Sequence, residues 1–207
     1  MGKHGVMTAP DSGEPAPRRW TESTVYTDMW IDPDDDPRET DAGGTDERGI
    51  LLDYLRHYRL TVEMKCAGLD AEQLARRSVP PSTMSLLGLV RHMVEEERHL
   101  RRVMAGEDAP PLYRTDDDRD GDWNGATADP AVVEDAWRQW RAETALTDRF
   151  VAGVDDLGAW NAGASDLGAD GADLQLRDAL VAQIAEYARH CGHADLLRER
   201  IDGRVGQ

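Results

Sequence analysis

The stretch "EYARHCGHADLLRER" sets Glu186, His190 and His193 four and three residues apart within a pattern of helical period. On an α-helix, positions i, i+4 and i+7 stack along one side, so a carboxylate and two imidazoles form a polar column beside Tyr187, Cys191 and Ala194. Imidazole nitrogen and carboxylate oxygen are donors suited to zinc and related divalent ions. A further candidate lies in "GLVRHMVEEERHL", where His92 sits about 60° from Leu89 on the helical wheel, at the edge of an apolar stripe. A lone histidine in such a place is more often a hydrogen-bonded core residue than a ligand. If the column faces it, however, His92, Glu186 and His190 together supply two imidazoles and one carboxylate. That is the ligand type and number of an open zinc site, with positions left for water or substrate.

Other residues are weighed around that set. Glu186 and His190 are one turn apart and can share an ion, so His193 is expected behind the ligands as their support. Glu96, one turn after His92, could orient a bound water or act as a base, although the run Glu95, Glu96, Glu97 otherwise reads as a solvated acidic face. Nothing in the sequence lowers the pKa of Cys191, which fits a small buried thiol. In "DDDRDGDWNGAT", Asp116, Asp118, Asp120 and Gly121 match the first half of a calcium loop, which Asp122 and Asn124 could continue, but Thr127 stands where the bidentate Glu is required. This segment is therefore expected to be a solvated acidic loop.

Four amphipathic helices must position these groups. They are expected over about 46–67, 85–105, 130–153 and 173–201, with Asp129 and Pro130 opening the third and Gly68 and Gly106 closing the first two. Strand signals are scarce. The pattern predicts an all-α, four-helix bundle with long connections, in which metal sites are built from inward-facing side chains of different helices. Residues 1–45, rich in Pro, Gly and acid, are expected to form an irregular acidic N-terminal arm, and 46–207 the folded domain. Within the arm, "WTESTVYTDMW" carries Trp20 and Trp30 and is expected to lie against the folded body.

Composition narrows the partners. The 207-residue chain carries 41 acidic against 24 basic residues, a formal charge of -17, which disfavours nucleic acid and anionic membrane surfaces. Its two cysteines cannot make a disulfide framework, and no apolar run is long enough for a membrane span or signal peptide, so a cytoplasmic location is expected.

The blocks "ERGILLDYLRHYR", "KCAGLDAEQLARRSVPPSTMSLLGLVRHMVEEERHLRRVMAGED" and "LRDALVAQIAEYARHCGHADLLRERIDG" resemble the actinobacterial branch of the DinB-like four-helix metalloproteins. That branch also includes the metal-binding domain of mycothiol-dependent maleylpyruvate isomerase. The resemblance implies a divalent ion, usually zinc, held by His92, Glu186 and His190. Many relatives have His where this chain has Glu186, whereas the isomerase is similar in using Glu. It further implies a low-molecular-weight thiol such as mycothiol as co-substrate, a transferase or isomerase acting on a small electrophilic substrate, and a homodimer. Arg91 and Arg189, each next to a proposed ligand, could steer an anionic substrate toward the site. The same residues would also serve a non-catalytic metal- or small-molecule-binding protein associated with stress, and an open coordination position facing a pocket would distinguish the enzyme from it.

Overall fold

A computed structural model describes residues 30–31, 33–39, 44–159 and 174–206. After a single 3-10 turn at Pro33–Asp35, the helices are α1 (Glu47–Cys66), α2 (Ala71–Ala75), α3 (Leu86–Ala105), α4 (Gly121–Asn124), α5 (Pro130–Ala152) and α6 (Leu176–Asp202). There is no strand among the described residues, and α1, α3, α5 and α6 form the all-α bundle expected from the periodicity.

Local chemistry sets the helix ends. The Asp46 side chain accepts the amide of Gly49, Ser85 that of Gly88, and Asp129 that of Ala131 with Pro130 following, so three starts are fixed by N-caps. Gly106 closes α3 in the left-handed region at φ 66°, where a side chain would be strained. The expected start of the last helix at Asp173 lies outside the described residues. Two short helices were not foreseen, α2 and α4. In α2, Asp70 and Gln73 cap each other reciprocally, a signature that was present in the sequence.

Leu86, Leu87, Val90, Met93 and Val94 of α3 are fully buried, each stabilising the fold by roughly 1.5–3 kcal/mol relative to exposure. Helix α3 packs on α5 and α6, and α1 packs along α6. Glu47 pairs with Arg177 at one end of α1 and α6, and Arg198 donates to the Lys65 and Ala67 carbonyls at the other, so these two helices run parallel. Arg91 and Tyr113 lie beside Asp135, while Arg98 and Arg101 reach Glu143 and Thr147, so α3 and α5 are also parallel. Between the two pairs the direction reverses, since His92 meets Glu186 and His190 while Glu97 meets Tyr187.

The expectation that Glu95, Glu96 and Glu97 form a solvated run is corrected. Glu97 is fully buried: Arg59 of α1 grips both its oxygens at 2.9 Å and the Tyr187 hydroxyl donates to it at 2.8 Å. Trp140 of α5 in turn donates to that hydroxyl at 3.0 Å, so one polar network joins all four long helices. The buried Glu95 carboxylate instead collects the amides of Leu112, Tyr113 and Arg114, which anchors the connection after α3. Three consecutive glutamates thus face three different environments, as a 100° step per residue requires.

Trp30 is buried, with the Lys65 ammonium 4.0 Å and the Arg204 guanidinium 3.9 Å from its ring centre. This part of the arm lies on the body, whereas Trp20 falls outside the described residues. No helix among the described residues is long and apolar enough to cross a membrane.

Candidate metal centre

The bundle topology dictates what covers the α3–α6 seam. Because α3 and α5 are parallel neighbours, the chain leaving α3 must travel back along it before α5 can begin. That crossover contains α4, and it passes directly over His92. Arg91 clamps it by donating to the carbonyls of Asp122 at 2.8 Å and Gly121 at 2.9 Å, with its guanidinium 3.8 Å over the Tyr113 ring. The Trp123 ring lies above Gly88, where an added Cβ would come within 2.8 Å of it, and stacks on His92 at 4.9 Å with 28° between planes.

Beneath this cover, ligand atoms of His92, Glu186 and His190 all lie within 4.8 Å of one another, the only such triad of His, Cys, Asp or Glu among the described residues. Glu186 Oε1 is 3.0 Å from His190 Nε2 and 3.5 Å from His92 Nε2. The other Glu186 oxygen accepts from Arg189 at 2.8 Å. His193 Nδ1 is 3.3 Å from His190 Nδ1, on the side of that ring away from Glu186, which is where a supporting residue would stand. Glu96 is half-buried, 3.9 Å from His92 Nε2 and 3.5 Å from Arg114. Arg189 is therefore at the rim, while the Arg91 guanidinium is committed to the α4 backbone.

From the sequence, Asp122 is expected only within the acidic loop, not at the site. The expectation of a solvated acidic loop holds for Asp116, Asp117 and Asp120, which are exposed, but fails for Asp122, only 1% exposed and 2.8 Å from His92 Nδ1. Its position directly after Gly121, inside the acidic run, carried no signal that distinguished it from its neighbours.

The two imidazoles are poised differently. Burial works against the His92 cation, but hydrogen bonding to Asp122 and the charges of Glu96 and Asp122 outweigh it and hold the pKa above the ordinary value. Burial, reinforced by neighbouring His92, pushes His190 down to about 4 despite Glu186. Glu186 resists burial because His190, Arg189 and His92 draw its pKa below the usual range. A neutral His190, an anionic Glu186 and a half-buried setting make a donor set that fits a divalent cation of the zinc type. Cys191 is buried against the Tyr58 carbonyl, and burial pushes its thiol up to about 12, so it offers no thiolate to this chemistry.

A solved structure of a conserved protein from Enterococcus faecalis superposes with a TM-score of 0.54 over 78% of this chain and 100% of its own, at 15% identity, a likeness of fold alone. No curated protein sequence matches the chain. The family model described as mycothiol-S-transferase matches residues 50–203, which spans both α3 and α6 with every residue of the triad. The chain therefore belongs to the mycothiol-S-transferase family, a DinB-like family.

Proposed function

We propose that the protein is a divalent-metal-dependent S-transferase that joins a low-molecular-weight thiol, mycothiol, to a small electrophilic substrate. The observation that supports it is the convergence of His92, Glu186 and His190 within 4.8 Å, in a chain of this family. These three residues would hold the ion, with zinc the best match to two imidazoles and a carboxylate. When bound, the ion supplies the positive charge that lets a thiol ionise near neutral pH. Glu186 offsets part of that charge and is itself steadied by Arg189. Trp123 and His92, stacked together, form a wall that limits water on one side. Glu96, at the edge of the site, is suited to accept or relay the proton released by the thiol, and exposed Arg189 to attract an anionic electrophile.

The reading is tested by elemental analysis of tag-free protein, followed by transfer assays with mycothiol and a panel of electrophiles. About one divalent ion per chain is expected, with transfer abolished by chelation, restored by zinc, and lowered more than about tenfold in His190→Ala. Protein that takes up no zinc, nickel or manganese, or transfer indifferent to chelator, would overturn it.

A further inference from the structure

Asp122 stands apart from every other acid around the site. It comes from the crossover rather than from the helices that carry the ligands, it is 1% exposed, and its Oδ2 faces the His92 Nδ1 at 2.8 Å. Its other oxygen accepts the amide of Trp123 at 3.1 Å, and its carbonyl accepts Arg91 at 2.8 Å, so both its side chain and its backbone are immobilised. A carboxylate only accepts hydrogen bonds, so the ring nitrogen opposite it must carry hydrogen. Glu186 Oε1 faces the other ring nitrogen at 3.5 Å, but Asp122 is the nearer carboxylate, so in a neutral imidazole the hydrogen sits on Nδ1 and Nε2 keeps the lone pair.

Among the described residues, His190 has no such carboxylate behind it. Its Nδ1 meets His193 Nδ1, a neutral acceptor when that ring is neutral, whereas its Nε2 faces Glu186. The two proposed ligands are thus supported asymmetrically, one by a buried carboxylate and one by an imidazole.

We infer that Asp122 is a positioning residue for His92: it fixes the N–H of that ring at Nδ1, sets the ring's rotation together with the stacked Trp123, and directs the Nε2 lone pair into the space shared with Glu186 and His190. The inference rests on the metal-site reading for its functional weight, but the tautomer it specifies belongs to the protein alone. A carboxylate behind a ligating histidine also raises the ligand's basicity, and loss of such a partner typically weakens metal affinity about 10–100-fold.

The test uses full-length wild type, Asp122→Asn and Asp122→Ala, with folding checked by circular dichroism. Long-range 1H–15N spectra of the metal-free proteins, recorded well above the ordinary histidine pKa of about 6.5, report the His92 tautomer, assigned with His92→Ala. Zinc affinity is measured by competition with a chromophoric chelator, and cobalt-loaded protein reports ligand geometry through its visible absorption. Wild type should show hydrogen on Nδ1, Asp122→Ala should shift toward the Nε2–H form and bind zinc about 10–100-fold more weakly, and its cobalt spectrum should change. Asp122→Asn, which keeps a carbonyl acceptor of nearly the same shape, should retain the tautomer and lie between the two in affinity. A tautomer unchanged in both variants, or hydrogen on Nε2 in the wild type, would overturn the assignment. Zinc affinity unchanged in Asp122→Ala alongside a shifted tautomer would also overturn it, since the fixed tautomer would then have no bearing on the ion. If wild type binds no metal but shows the Nδ1–H form only when Asp122 is present, the positioning contact stands and the metal reading falls.

Discussion

At the scale of single residues, the two thiols make a clear contrast with the proposed chemistry. Burial pushes Cys66 and Cys191 up to about 12 from 9.0, so each carries about a thousandfold less thiolate near pH 8 than an ordinary cysteine. Alkylation of native protein is therefore expected to proceed at least about a thousandfold more slowly than after unfolding in denaturant, followed by mass spectrometry. Rapid native labelling of either residue would contradict the buried setting and reopen Cys191 as a nucleophile. That Glu186 and His190 share a face was legible from helical spacing alone, whereas their meeting with His92 hung on how α3 and α6 face each other and was indicated only by the family resemblance. Asp122 was not legible. Burial of one acid in a run depends on where the chain crosses, and local pattern carries no information about that.

At the scale of elements, α3 and α5 were readable from apolar period, with Gly106 closing the one and Asp129 and Pro130 opening the other, whereas α4 was hidden inside an acidic connection. A helix of four residues has no period to detect, and it owes its place to docking on α3 through Gly88, Arg91 and His92. Gly88 is needed because a Cβ there would stand 2.8 Å from the Trp123 ring and 3.1 Å from the Ser85 hydroxyl. Gly88→Ala should lift Trp123, lower stability by about 1–3 kcal/mol in urea unfolding, and weaken zinc binding although no ligand has changed. Unaltered zinc affinity would show that the α4 cover has no bearing on the site.

At the scale of the whole molecule, the sequence indicated how many long helices there are but not which way they run. Direction is set by pairs distant in the chain, such as Cys191 with the Tyr58 carbonyl, 133 residues apart. The parallel α1–α6 contact also closes a very long loop, whereas α3 docks onto α4 and α5 through much nearer partners. Chain closure of that length costs entropy before any contact repays it, so α6 should join last. The consequence concerns time rather than geometry: if α6 docks after the rate-limiting barrier, Glu186 and His190 reach His92 late and the ion acts as a latch on a finished bundle instead of a nucleus for its formation. Stopped-flow chevrons with and without zinc should then show unchanged refolding rates and slower unfolding. Faster refolding with zinc would mean that α6 reaches α3 early, and that the metal helps the chain find its fold.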